Sequence, residues 1–173
     1  MPSTSKYSDP LTRNDIGLLV LRVAVGVTLC WNGLNIVFAS DQFTQLGSSP
    51  IVGHPDLPAR VLAGIYSIGG AMLVAGLLTP FGASAVLGSM LYAAVQTYSV
   101  RNDLFPSGPA LQFPLILAAA ALAVLLLGPG RVSVDGRFDR DEWPAAVSSV
   151  LVIAGIGGAI AAWVLVKGTN PLS

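Results

Sequence analysis

Arg22 is the only charged residue between Asp15 and Asp41. It stands in an otherwise apolar run, Ile16 to Phe38, that reads IGLLVLRVAVGVTLCWNGLNIVF. A charge at the centre of a membrane helix costs about 2.5–3.5 kcal/mol on insertion scales, so such a residue needs a reason to be there. One reason is structural: the long side chain snorkels to the interface or contacts another helix. The other is functional: an inward-facing guanidinium that binds a lipid phosphate or a quinone carbonyl. Asn32 and Asn35 lie three apart on the same run, and that spacing puts them on one helix face. In lipid their amides need partners, which makes them either glue between helices or a polar pocket wall. Tyr66, Ser67, Gln96, Tyr98 and Gln112 add polar groups to either reading.

Other residue types offer less chemistry. His54 is the only histidine and lies in a Gly/Pro-rich stretch with Asp41 and Asp56. That is not a recognised metal-ligand spacing, and one histidine cannot supply paired haem ligation. Cys30 is the only cysteine, so no internal disulfide and no CxxC pair exists, and its place between Leu29 and Trp31 suits inert packing. No Ser/His/Asp set, phosphate loop or dinucleotide fingerprint is present. Gly64 and Gly69-Gly70 fall inside an apolar run, where helix packing explains them.

The elements that must position these residues are membrane helices. Only 10% of the 173 residues are charged and mean hydropathy is +0.71, against about 25% charged in an average soluble domain. Net charge is zero, so nucleic acid is not an expected partner, and the lipid bilayer is. Five spans are expected: about 16–38, 61–78, 81–100, 112–127 and 145–166. The first is roughly 34 Å long at about 1.5 Å per residue. It is too long for a signal-peptide core and carries Arg22, Asn32 and Asn35. Thr79-Pro80 separates the second and third spans, with Thr79 as N-cap and Pro80 in the first turn of a tight helical hairpin. Gly128-Pro129-Gly130 stops the fourth span, and seven charges follow between Arg131 and Glu142. The chain divides into a polar segment 1–15, a core 16–138, and a charged linker with a fifth helix, 139–173. On the fifth helix Ala154, Gly158 and Ala162 lie four apart. This small-residue spacing serves either packing within the bundle or docking of another membrane subunit.

Lys6, Arg13, Arg131, Arg137 and Arg140 fall on one side of a five-span arrangement, and Arg60, Arg101 and Lys167 on the other. Five basic residues against three place the N-terminus in the cytoplasm. The expected location is a cell membrane, of the bacterial inner-membrane kind.

Three stretches resemble the DoxX-like family of small membrane proteins. They are Leu21-Arg22-x-x-x-Gly26 with Trp31-Asn32-Gly33-Leu34-Asn35; Gly69-Gly70 leading into Gly76-Leu77-Leu78-Thr79; and Leu125 to Asp135, LLLGPGRVSVD. The resemblance implies a four-helix membrane core, here with a fifth helix added, and a link to respiratory or sulfur redox chemistry. Relatives of this kind include a quinone-reducing thiosulfate oxidoreductase subunit. The family often has a His and a Lys where this chain has Asn32 and Asn35, and an acidic residue in the region of Tyr66-Ser67. Proton-coupled chemistry needs groups that titrate near working pH. The resemblance with these departures implies a non-catalytic accessory subunit of a respiratory or redox complex. The alternative is a quinone-linked oxidoreductase subunit, with quinone as cofactor near Arg22, Asn32 and Asn35. A lipid or metabolite carrier ranks third, since neither an inverted repeat nor paired broken helices are visible.

Overall fold

The computed structural model describes residues 12–38, 57–101, 111–138 and 143–167. Of the polar loop expected at 39–60, residues 39–56 with His54 lie outside the described residues, as do the loop before Pro109 and the charges at 139–142, whereas residues 57–60 are not loop but the start of the helix Leu57–Ala75. The described residues form helices joined by turns. Five helices are long: α1 (Arg13–Phe38), α2 (Leu57–Ala75), α3 (Thr79–Arg101), α4 (Gln112–Leu127) and α6 (Ala145–Lys167). The short α5 (Val134–Arg137) lies between α4 and α6. Each expected span overlaps one long helix, and the second runs three residues past the end of α2 at Ala75.

Two helices are long and apolar enough to cross a membrane by themselves, Arg13–Phe38 at mean hydropathy 1.7 and Ala145–Val164 at 2.1. Arg60–Ala75 and Gln112–Leu127 are shorter apolar helices. The long α3 is more polar, with Ser84, Ser89, Gln96 and Thr97 along it. Its position accounts for that composition, because α3 packs against α2, α4 and α6 and so faces protein on most sides. Its Ala83, Val86, Leu87 and Met90 are buried in the core with Leu29, Leu73, Ala121, Val124 and Leu125. The four helices α1 to α4 close a ring, α1 on α2, α2 on α3, α3 on α4, and α4 back on α1. Helix α6 lies outside the ring against α3 and α4.

Two seams depend on small residues. Between α1 and α2, a Cβ on Gly26 would fall 2.6 Å from the Gly70 carbonyl oxygen, and one on Gly70 would fall 2.7 Å from that of Gly26. Gly33 lies equally tight against Ser67 and Ala63. Between α3 and α6, Gly88 meets Gly155, and the Ser84 hydroxyl donates to the Leu151 carbonyl at 2.7 Å. One helical step further along this seam, Tyr92 meets Trp163 edge to face with ring centroids 6.3 Å apart. The seam therefore uses Leu151, Gly155 and Trp163 of α6, with Ala159 also buried. Ala154 and Gly158 are exposed, and a Cβ on Gly158 would meet nothing within 4 Å. The small-residue stripe read from the sequence lies one residue off the face that packs into the bundle.

Candidate functional site

The structure brings three distant stretches together at the end of the bundle where α1 begins, α2 ends and α4 ends. The α2–α3 turn is set by backbone chemistry. Gly76 (φ 67°) closes α2 in a Schellman arrangement, its N–H donating to the Leu73 carbonyl and that of Leu77 to Met72. Leu78 is also left-handed, at φ 46°. Helix α4 ends similarly, with Gly128 (φ 83°) donating to the Val124 carbonyl at 2.9 Å, followed by Pro129 and left-handed Gly130. The chain then turns through Ser133, whose hydroxyl caps α5 by accepting from the Gly136 N–H at 2.8 Å.

These turns clasp each other. The Asp135 N–H donates to the Gly76 carbonyl at 2.8 Å. In return the Asp135 carboxylate accepts the N–H of Leu78 at 2.9 Å and of Thr79 at 2.8 Å. Asp135 therefore caps α3 from a segment 56 residues away, placing a negative charge at a helix N-terminus, where it is favoured. This corrects the expectation that Thr79 is the N-cap. Thr79 is the first helical residue, its N–H is taken by Asp135, and its buried hydroxyl has no partner among the described residues. The left-handed Leu78 aims both N–H groups at the carboxylate, so the local hydroxyl is not used. Pro80 keeps its expected place in the first turn.

Arg22 reaches this clasp from α1. It is 1% exposed, so it does not snorkel to water. One guanidinium nitrogen, Nη2, donates to the Val132 carbonyl at 2.6 Å. Nη1 lies where a side chain on Gly76 would stand, so any larger residue there would displace the arginine. The Asp135 charge acts on the guanidinium. Nε and Nη1 have no hydrogen-bond partner among the described residues. Beside the clasp, the Asp15 carboxylate accepts from the Thr12 N–H at 2.9 Å and the Thr12 hydroxyl at 2.7 Å, and it also faces the backbone and charge of Arg131.

Asn32 and Asn35 are not part of this cluster. Ten residues along α1 separate Asn32 from Arg22, about 15 Å of helix. The Asn32 amide donates to the Thr28 carbonyl at 2.8 Å, within its own helix. That bond stays within α1. Asn35 is half-buried. Cys30 is half-buried and its Sγ donates to the Ser67 carbonyl at 3.5 Å across the α1–α2 seam.

Sequence reasoning counted Asp135 as one of seven linker charges and missed its role. The local signature was present, a serine cap followed by an acid in the first turn. Only the tertiary structure shows which helix the acid serves.

No curated protein and no solved structure matches the chain. The DoxX family model matches residues 17–99, a span that runs from α1 through α2 into the last turn of α3. The third stretch of the resemblance, Leu125 to Asp135, lies beyond that match, although the clasp ties it to residues within it. Residues 17–99 match the DoxX family model, and that match supports a DoxX-like membrane protein.

Proposed function

We propose that the chain is a multi-pass membrane subunit, a four-helix core plus α6, that serves a respiratory or redox complex without being catalytic by itself. In this reading it lies in a bacterial inner membrane with its N-terminus in the cytoplasm. The observation that carries the proposal is the outer face of α6. Ala154 and Gly158 are exposed while the inner face is already committed to α3. Small residues at this spacing let a second helix backbone approach closely, and Ala162 extends the stripe. Native mass measurement after extraction in mild detergent tests the reading. The chain should run with another membrane protein, and Gly158→Leu should release that partner, since a side chain there fills open space and leaves the bundle intact. A parent chain that migrates only as a monomer or homo-oligomer refutes it.

A quinone-linked reading has one specific observation in its favour, the two buried Arg22 donors without acceptors among the described residues. A quinone carbonyl is an acceptor of the right kind, and hydrogen bonding would be the protein's contribution. Asn32, about 15 Å away along the helix, would have to serve a different part of the molecule, such as the tail path. If Arg22→Ala leaves the quinone content of the purified protein unchanged, this second reading fails.

A further inference from the structure

Hydroxyls along the long helices donate to the carbonyl four residues back, as Thr28 does to Ala24 and Thr97 to Ala93, each at 2.8 Å. That local bond satisfies a hydroxyl without help from another helix. Thr79 has no such recourse. It is the first residue of α3, and Ala75, four residues back, is the last of α2 on the other side of the turn. Its hydroxyl is fully buried and has no partner among the described residues. The Nε and Nη1 of Arg22 are in the same position, on a side chain as deeply buried. Buried polar groups are normally bonded, to protein or to ordered water.

Both unpartnered groups border one carboxylate. The Thr79 N–H donates to Asp135 at 2.8 Å, and the Asp135 charge acts on Arg22. The guanidinium lies against Gly76 and Ser133, and the Gly76 carbonyl accepts the Asp135 N–H at 2.8 Å. Yet no hydrogen bond joins Arg22 to Asp135 among the described residues. The carboxylate takes the N–H groups of Leu78 and Thr79, and Nη2 goes to Val132. An ionised carboxylate offers about four acceptor positions, so Asp135 has room for more. Polar groups that face each other beyond bonding distance are the usual setting for a bridging water.

We propose that one buried water molecule completes the clasp, accepting from Arg22 and from the Thr79 hydroxyl and donating to the Asp135 carboxylate. A buried water typically makes about three hydrogen bonds, and these groups supply that number. A small inorganic anion would accept from the same donors. Charge argues against it, because the guanidinium and the carboxylate already cancel and an anion would leave a net negative charge buried. The inference is independent of the subunit reading. It concerns the guanidinium that the quinone reading also uses, and the two give different results in the test.

The test is a crystal structure of the full chain and of Thr79→Val, grown from a lipidic mesophase with bromide as the halide, at a resolution that shows ordered water. The parent should show a spherical peak about 2.6–3.2 Å from the Thr79 hydroxyl, from Nε or Nη1 of Arg22 and from an Asp135 carboxylate oxygen, with no anomalous signal of bromine. Thr79→Val is close to isosteric and keeps the N–H that Asp135 accepts, so the clasp should persist. Its methyl removes one bond and crowds the water, so the peak should be lost. A parent without the peak, a direct Arg22–Asp135 ion pair in its place, or a peak retained in Thr79→Val overturns the proposal. An anomalous peak assigns the site to an anion and overturns the water. Elongated density running on into the bilayer also overturns it and supports the quinone reading, whereas the water peak removes the observation that favours quinone.

Discussion

Arg22 and Asn32 are two polar side chains on one helix, and they solve the same problem in opposite ways. Each must satisfy donors where lipid offers no acceptor. Asn32 does so within its own turn, donating to Thr28, and among the described residues it ties α1 to no other helix. Arg22 donates across 110 residues of sequence to Val132 and shares its surroundings with Gly76 and Asp135. The difference separates polar groups that assemble the bundle from those that are merely tolerated by it. Charge follows the same division. The guanidinium cannot be satisfied by one backbone carbonyl of its own helix, whereas the amide can donate to one.

The sharpest way to break this comparison is to remove Asp135. Asp135→Ala takes away the acceptor for two backbone N–H groups and the charge that faces Arg22. At about 1.5 kcal/mol for each hydrogen bond to a charged group, the loss of stability is about 3 kcal/mol. Denaturant unfolding in detergent micelles measures it. Asp135→Asn retains one acceptor oxygen and should recover about half. An alanine variant as stable as the parent would mean that the clasp is a consequence of the fold and not one of its causes.

Glycines on α2 extend the comparison from polar groups to backbone contact. Gly70 faces α1, with Gly26 and Cys30 backbone atoms within 3 Å of any added Cβ, while Gly64 faces open space on the same helix. Gly70→Ala should destabilise by about 1–3 kcal/mol through overpacking. Gly64→Ala should stabilise by about 0.5–1 kcal/mol through helix propensity. Thermal unfolding of both variants reads the two signs directly. Opposite signs locate the seam, and equal effects would deny it.

Much of this architecture was legible in the sequence, and the limits have physical causes. Apolar runs broken by Thr79-Pro80 and Gly128-Pro129-Gly130 mark helices α2 to α4, because proline and glycine act on the backbone locally. The end of α2 was misjudged by three residues, since Gly76 closes the helix before Leu78. Arg22 was legible as a residue needing an explanation, but its partner carbonyl on Val132 was not, since any backbone carbonyl looks alike in sequence. The α6 stripe shows the same limit. Ala154/Gly158 and Gly155/Ala159 are adjacent small pairs with one spacing, and only packing on Ser84 and Gly88 decides which pair turns inward. Family resemblance pointed to Asn32 and Asn35 as a site because relatives place ionisable groups there. It could not show that the Asn32 amide donates within its own turn.

Asn32 therefore gives the smallest expected effect and the cleanest limit on the comparison. Asn32→Leu removes a hydrogen bond that lies within one helix, and it leaves the Thr28 carbonyl in the same state as any other helical carbonyl in lipid. Polar side-chain bonds in membrane bundles average about 0.6 kcal/mol and reach about 1.7 at most. The variant should thus unfold within about 0.6 kcal/mol of the parent, and quinone content, if any is bound, should not follow it. A loss well above that ceiling would show that the Asn32 carbonyl oxygen, and not only its amide nitrogen, holds a partner. In that case Asn32 would belong with Arg22 among the groups that assemble the bundle, and the division drawn between the two ends of α1 would not stand.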